Sequence, residues 1–336
     1  MDFIPESIVL KHNPETLEAV RKIYGFENAG DMHEAIDKLE DWIRMQTHFV
    51  KKEFPRHRLE TLLISTKGSI EQAKSRLDKI CTFKTLMPKY YQDFNVIEDF
   101  KKLNSQTVRA ILPKMTEDHN RVILLKLTGH EFSHNIIEDM NCLAITYAEY
   151  LYSHDYIDGF IFIVDYTEAD LFDLSTKINL IQLRHSTAIL LEAFGVRVKA
   201  IHLVSTSKVV ETLIKIFRQV VSEKVANRIE WHKDIESLRD RIPDDILPIE
   251  YGGKGKSYKV VHDEWLDLLS SEKVRAFYRD TLEARTDENR RQKQDFHNQY
   301  LGMPESATTE RPSHVRMPAV RINRPALYTR ASREKK

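Results

Sequence analysis

Two adjacent stretches carry the most regular patterns of apolar and polar residues in this chain. Over residues 196–204, β-branched and other apolar residues are interleaved with Arg197, Lys199 and His202, which predicts a strand. Residues 208–221 follow a helical period instead, with the apolar side chains within an arc of about 160°. We therefore predict a strand followed by an amphipathic helix, an arrangement typical of a helix that lies on a sheet.

Helical periodicity dominates the first part of the chain. We expect a helix that Asp31 caps, a shorter helix over residues 58–64, and a third helix that begins after Ser69, where Gln72 completes a possible capping box. Residues 1–95 therefore predict a small bundle of three to four helices.

From about residue 96 the pattern changes to strands that alternate with helices. Residues 122–127 and 159–166 are nearly continuous apolar runs, which is typical of parallel strands buried on both faces. Helices are predicted over residues 136–152 and 174–194, so strand and helix alternate up to the strand at 196–204. This order predicts an α/β layer domain with a parallel sheet over residues 96–253.

The end of the chain has a different character. Residues 254–302 predict one or two further helices, whereas residues 303–336 contain prolines, scattered arginines and little apolar material. We interpret residues 303–336 as a disordered basic tail.

Composition narrows the possible classes of function. The 51 Lys and Arg residues balance the 51 Asp and Glu residues, which argues against a general nucleic-acid binder. The two cysteines, Cys81 and Cys142, provide no disulfide framework and suit a reducing compartment. We find no secretory signal pattern and no apolar run near the roughly 18 residues that cross a bilayer. We therefore expect a cytoplasmic protein whose membrane contact is peripheral.

Two features have the form of catalytic chemistry. His130, Glu131 and His134 form a literal H-E-x-x-H, the spacing that holds zinc when it lies on a helix. The motif directly follows a predicted strand, where a loop is expected, and no third ligand follows at a known spacing, so we favour a solvated loop. Asp165 ends a predicted strand, and we favour a structural hydrogen-bonding role for it over a catalytic one. We expect neither enzymatic activity nor a metal or cofactor.

Four segments together resemble a known family. They are Arg197-Val198-Lys199-Ala200-Ile201-His202, the helix over 208–221, Ser222-Glu223-Lys224 with Arg228-Ile229, and Ile246-Leu247-Pro248-Ile249-Glu250-Tyr251-Gly252-Gly253. The last segment resembles the L-P-x-E-Y-G-G ending of the CRAL–TRIO lipid-binding proteins. The chain resembles that family from about residue 15 to 300, and is nearest to its tocopherol- and retinaldehyde-carrier branch. The resemblance implies an α/β CRAL–TRIO domain with a mainly parallel sheet as the cavity floor, preceded by an N-terminal helical module.

The resemblance also implies a hydrophobic lipid ligand in place of a cofactor, held under the 208–221 helix as a lid. The cavity positions carried over from the family are Cys142, Thr146, Phe160, Phe162, Val164, Ile189, Leu190, Phe194 and Ile201, and the lid positions are Val210, Leu213, Ile214 and Phe217. All but Thr146 are apolar, and Thr146 is the residue that can hydrogen-bond a ligand hydroxyl or carbonyl. Ordinary core packing is the alternative for each of them.

Basic residues form the second site that the resemblance implies. Arg197 and Lys199 share one face of a strand, and Lys224 and Arg228 lie four residues apart on a helical turn. Together with Lys67, these positions correspond to a cleft for a phosphoinositide headgroup in the tocopherol-carrier relatives. Scattered solvated charges remain the alternative.

The sequence thus predicts a monomer that binds and transfers a small hydrophobic ligand such as a tocopherol, retinoid or carotenoid. A phosphoinositide-containing membrane surface is the expected partner, and lid opening there would release the ligand. A non-transferring scaffold and a phospholipid-exchange protein remain alternatives. Gly195 stands where phosphatidylinositol-exchanging relatives have a glutamate, which favours a non-phospholipid ligand.

Overall fold

A five-stranded sheet organises the computed structural model, which describes residue 4 and residues 7–291. The strands are β1 (Thr107–Met115), β2 (Asn120–Leu127), β3 (Gly159–Asp165), β4 (Val198–Val204) and β5 (Ile229–His232). They lie side by side in chain order, with β1 antiparallel to β2 and the other pairs parallel. This mixed α/β architecture confirms the predicted fold class. The predicted tail over residues 303–336 and the last part of the 254–302 extension lie outside the described residues.

Both edge strands were missed by the pattern. In β1 the register shifts between Ile111 and Met115, and Pro113 interrupts the apolar run. β5 has only four residues, and its Glu230 and His232 break the apolar pattern. The strand predicted over residues 196–204 begins two residues later in the structure, at Val198.

The described part of residues 1–95 contains the α-helices α1 (Thr16–Ile23), α2 (Ala29–Met45), α3 (Arg56–Ser65) and α4 (Ile70–Leu86). The sequence located α2, α3 and α4, whereas α1 was missed. Ser69 caps α4, because its hydroxyl accepts a hydrogen bond from the backbone N–H of Gln72 at 3.3 Å. The prediction that Asp31 caps α2 was wrong, since Asn28 precedes the helix and Asp31 lies in its first turn. Their apolar faces share one buried cluster, which includes Met32, Leu39 and Leu63.

The remaining helices connect or flank the strands. They are α5 (Lys101–Gln106), α6 (Ile136–His154), α7 (Leu171–Lys177), α8 (Leu180–Thr187), α9 (Val209–Arg218), α10 (Glu223–Ala226), α11 (Tyr258–Ser270) and α12 (Glu272–Leu282). Every helix of residues 7–291 is too short or too polar to cross a membrane.

The single helix predicted over residues 174–194 was wrong, and the helix predicted over 208–221 is shorter. The first is divided into α7, α8 and a π-helical turn, Ala188–Ala193. The division arises because the side chain of Asn179 accepts hydrogen bonds from the backbone of Ile181 and Gln182, which starts a new helix. The second ends at Arg218, and Ser222 then caps α10.

A buried ion pair within the sheet domain also contacts the N-terminal segment. Arg121 forms two hydrogen bonds of 2.9 Å with Asp155, and both side chains are fully buried. His12 contacts the same carboxylate at 2.7 Å. Burial opposes ionisation of Asp155, but the Arg121 guanidinium and the His12 hydrogen bond outweigh it and lower its pKa to about 2. The carboxylate therefore stabilises the folded chain only while it is ionised.

We expect Asp155→Asn to destabilise the protein by about 3–5 kcal/mol, because it leaves the Arg121 charge buried without a partner. In the parent protein, the low folded-state pKa predicts that about 2 kcal/mol of stability is present above about pH 4 and is lost as the pH falls towards 2. Urea unfolding at a series of pH values measures both effects. The exposed Asp118→Asn is the control, and equal stability of the two variants would contradict the assignment.

Candidate functional site

The two faces of the central sheet differ in how well their apolar side chains are closed off. Register partners point to the same side of a sheet, and so do residues two apart on one strand. One face, here named the open face, carries Ile123, Leu125, Phe162, Val164, Ile201 and Leu203. The opposite face carries Val122, Leu124, Ile163 and Val204, each 0% exposed, together with Ile161 and Ala200, which are partly exposed.

Side chains of the open face keep contact with solvent. Ile123, Leu125, Phe162 and Val164 are partly exposed, and Ile201 and Leu203 are 8% exposed each. Central parallel strands are normally covered on both faces. Partial exposure of Ile123, Leu125, Phe162 and Val164 at the centre of the sheet therefore indicates that the cover above them is incomplete.

All three crossover connections lie over the open face. The strands β2 to β5 are parallel and adjacent in chain order, so right-handed crossovers place α6, α7 with α8, and α9 on one side. Tyr152 of α6 identifies that side, because its ring lies 6.1 Å from the ring of Phe160, which in turn lies 6.1 Å from the ring of Phe162. These helices form the walls and cover of the space.

The covering helices also present apolar residues that are incompletely buried. In α9, Val210 and Leu213 are buried, whereas Ile214 and Phe217 are partly exposed. Every residue of α8 is partly or fully exposed, as is Phe172 of α7. The most exposed apolar side chains of α7 and α8 are Phe172 (57%), Leu180 (39%) and Ile181 (53%). The cover of the open face is thus loosely packed and has an apolar rim.

One end of the space is closed by aromatic packing. The ring of Tyr152 lies 5.7 Å from the ring of Phe194, which is buried beside Ile189 at the π-helical turn. Leu190, the next residue, is partly exposed. The structure therefore brings together Phe160, Phe162 and Phe194 through Tyr152, which the sequence pattern did not single out although it ends a predicted helix.

Cys142 and Thr146 occupy successive turns of α6. Cys142 is buried, its Sγ lies 3.6 Å from the carbonyl of Lys89, and burial raises its thiol pKa to about 12. The hydroxyl of Thr146 donates to the Cys142 carbonyl at 3.0 Å. The Thr146 hydroxyl therefore already donates its proton within the helix, and its oxygen can still accept a hydrogen bond from a ligand.

The carboxylate of Asp158 forms ion pairs with two of the five predicted basic residues. Lys199 and Arg197 both pair with its carboxylate, and the Arg197 guanidinium lies 4.6 Å from the ring centroid of Tyr24, whose hydroxyl contacts both Asp158 and Arg197. Burial opposes ionisation of Asp158, but hydrogen bonds from Lys199 and Tyr24 lower its pKa below the usual value. The Lys199 side chain is 36% exposed, so it remains within reach of an external anion.

Of the other predicted basic residues, Arg228 lies beside this pair, at the strand residue between Arg197 and Lys199. Arg228 donates to the carbonyl of Val198, while Lys224 and Lys67 are exposed. Lys67 lies at the end of α3 with a φ of 56°, in the left-handed region.

A further cation, Arg76, was missed by the sequence analysis. It donates to the carbonyl of Ser65 at 2.6 Å and lies against Gly195, where a Cβ atom would collide with the guanidinium. Its position on the polar side of α4 gave no signal. A cavity of about 10 Å³, enough for a single water, lies between Ser65, Asp158 and Arg197.

The carboxylate of Asp165 accepts several hydrogen bonds, one of them from Tyr251 of the 246–253 motif. Its carboxylate accepts hydrogen bonds from Lys126 at 2.9 Å, from Tyr251 at 2.6 Å and from the Thr167 hydroxyl at 2.7 Å. Gly252 has a φ of +75°, which suits glycine after Tyr251. The hydrogen bonds tie the motif to the end of β3.

The H-E-x-x-H residues lie in a loop, as expected. His130, Glu131 and His134 are exposed and precede the start of α6. Within the described part of the chain, the group of His, Cys, Asp and Glu with ligand atoms within 4.8 Å of one another is instead His202, Glu230 and His232. Burial and the neighbouring His232 lower the pKa of His202 to about 4. Sequence reasoning missed this group because β5 was not predicted.

A family model matches the part of the chain that contains the sheet. Residues 105–253 match the family model described as CRAL/TRIO domain. Proteins named alpha-tocopherol transfer protein-like from Mus musculus and Homo sapiens are 30% identical over 120 residues, which are 35% of this chain and 35% of each relative. The matched segment thus spans about a third of the length of these curated relatives. A solved structure titled crystal structure of Sfh5 aligns with a TM-score of 0.43 and 12% identity, over 70% of this chain and 92% of that one.

We expect Tyr251→Phe to reduce the free energy of unfolding by about 1.5–3 kcal/mol, because it removes a hydrogen bond to the buried Asp165 carboxylate. Tyr258→Phe is the matched control, since its hydroxyl forms no hydrogen bond within residues 7–291. Urea denaturation measures the difference. Equal loss in both variants would show that the Asp165 contact contributes little.

Proposed function

Because this chain contains a CRAL/TRIO domain and belongs to that family, near its tocopherol-transfer branch, we propose that it binds a small hydrophobic lipid over the open face and transfers it between membranes. The observation that carries the proposal is the partial exposure of Ile123, Leu125, Phe162 and Val164 at the centre of the sheet. No covalent step is required, since the apolar face itself supplies the affinity.

Apolar area supplies most of the binding free energy. Burial of several hundred Å² of ligand at about 25 cal/mol per Å² contributes on the order of 10 kcal/mol before the costs of association. The apolar lining suits a hydrocarbon or ring-bearing lipid such as a tocopherol, retinoid or carotenoid. The hydroxyl oxygen of Thr146 is the candidate acceptor for a ligand hydroxyl.

The helix α9 is the element proposed to move. It has a strong apolar face, but only Val210 and Leu213 are buried, so its displacement exposes little additional area. Short segments flank it, and Ser205 and Ser222 mark their outer ends. An apolar ligand would leave slowly until this helix opens.

An anionic membrane surface is the proposed trigger. Lys67 and Lys224 are exposed, and Lys199 and Arg228 are partly exposed. Each basic group near anionic lipid contributes about 1 kcal/mol. The summed contribution of these basic groups supports reversible, peripheral membrane binding of a cytoplasmic protein. A phosphoinositide headgroup would compete with Asp158 for Lys199 and Arg197.

Native mass spectrometry with lipid extraction tests occupancy of the open face. We expect one lipid per chain, and at least a tenfold loss of occupancy in Val164→Trp, because the larger ring fills the space above β3. Val260→Trp on the exposed side of α11 is the control. Full occupancy in a folded Val164→Trp variant would refute binding at this face.

We expect Asp158→Asn to raise the affinity for phosphoinositide vesicles about fivefold, equivalent to about 1 kcal/mol for one freed cation. Asp118→Asn removes the same charge elsewhere and is the control. Vesicle co-sedimentation at several salt concentrations measures the change. Equal affinities for the two variants would show that the cations paired with Asp158 do not take part in membrane binding.

Transfer distinguishes the remaining alternatives. Movement of a fluorescent tocopherol or retinoid between vesicles supports the proposal, whereas binding without transfer favours a scaffold. Faster transfer of labelled phosphatidylinositol would instead favour phospholipid exchange.

A further inference from the structure

Two histidines and a glutamate meet where β4 and β5 pair. His202 lies opposite Glu230, and His232 lies two residues further along β5 on the same side. His202 Nδ1 is 3.0 Å from His232 Nε2, and Glu230 Oε2 is 3.8 Å and 4.0 Å from these two nitrogens. Three potential ligand atoms therefore surround one point.

The distances are those of ligands around a small cation. Zinc binds imidazole nitrogen and carboxylate oxygen at about 2.0–2.2 Å, so tetrahedral ligand atoms lie roughly 3.3–3.5 Å apart. The three observed separations bracket that value, and small side-chain rotations would equalise them.

Hydrogen bonds around His232 orient its lone pair toward this point. The hydroxyl of Ser237 donates to the Asp234 carbonyl at 2.9 Å, so its oxygen accepts from His232 Nδ1 at 3.0 Å. The neutral ring of His232 therefore carries its proton on Nδ1 and presents the lone pair of Nε2 to His202. A hydrogen bond from the second ring nitrogen to a neighbouring group is the usual support of a metal-binding histidine.

We propose that His202 Nδ1, His232 Nε2 and the Glu230 carboxylate bind one borderline divalent cation of the Zn²⁺ type, with water as the fourth ligand. Two imidazoles favour such a cation over Mg²⁺ or Ca²⁺. The Glu230 side chain is 43% exposed and provides access from solvent. Arg241 lies 3.1 Å from the same oxygen, Glu230 Oε2, which has a second lone pair that can bind the metal.

Binding would act on the segment that leads into α9. The backbone N–H of Ser205 donates to the His232 carbonyl at 3.0 Å, and the Trp231 indole donates to the Ser205 carbonyl at 2.8 Å. A cation that cross-links β4 and β5 therefore fixes the first residue of this segment. This consequence for lid motion rests on the proposed lipid-binding function, whereas the metal site itself does not.

Zinc titration of the chelator-treated full chain tests the site without any lipid. A His130→Asn, His134→Asn background removes the exposed histidine pair of the H-E-x-x-H loop. We expect one equivalent of Zn²⁺ by calorimetry, and a shift of the His202 and His232 ring nitrogens by NMR. Glu230→Gln should weaken binding about tenfold or more, and Glu236→Gln, an exposed glutamate nearby, should leave it unchanged.

His232→Gln is a second variant, and circular dichroism verifies that it is folded. Loss of zinc binding in folded His232→Gln supports the site. Absence of zinc binding in the background protein, or binding that is equal in the Glu230→Gln and Glu236→Gln variants, would overturn it. Failure of lipid binding with intact zinc binding would refute the proposed function alone.

Discussion

The rest of the structure depends on the handedness of three successive crossovers. Since β2, β3, β4 and β5 are parallel and follow one another in space, right-handed connections place α6, α7 with α8, and α9 on the same face. That face receives every connecting helix, yet its central apolar side chains remain partly exposed. The opposite face is closed completely at Val122, Leu124, Ile163 and Val204. One sheet thus combines a face that is closed at these four residues with a face whose central apolar side chains stay accessible, and we propose that the ligand binds over the second face.

Three aspartates that pair with cations have different roles in the structure. Asp155 and Asp165 are fully buried with cations beside them, so they fix helices and the 246–253 motif to the sheet. Asp158 differs because its lysine partner remains at the surface, where another anion can compete. The proposed headgroup site is therefore a surface in which the protein's own carboxylate holds the cations in place.

The strands β2, β3 and β4 and the capped helix α4 were predictable because local pattern alone specifies them. The strands β1 and β5 were not, since Pro113 and the polar residues Glu230 and His232 disrupt the apolar pattern and pairing with neighbours decides their structure. The break before α8 depends on one capping side chain, Asn179. The proposed lining positions stay a prediction, which rests on family resemblance and on their apolar side chains. Contacts such as Tyr152 with Phe194, Arg76 with Gly195 and Tyr24 with Arg197 join residues far apart in sequence, so no local pattern reports them.

Methyl NMR of the lipid-loaded protein tests the central claim most directly, because the two faces of one sheet serve as probe and control. The account predicts nuclear Overhauser effects from a bound tocopherol or retinoid to the methyl groups of Ile123, Val164 and Ile201, with none to Val122, Ile163 or Val204. Contacts to both faces alike, or a lipid that contacts only residues outside the sheet, would contradict the existence of a ligand space over the open face.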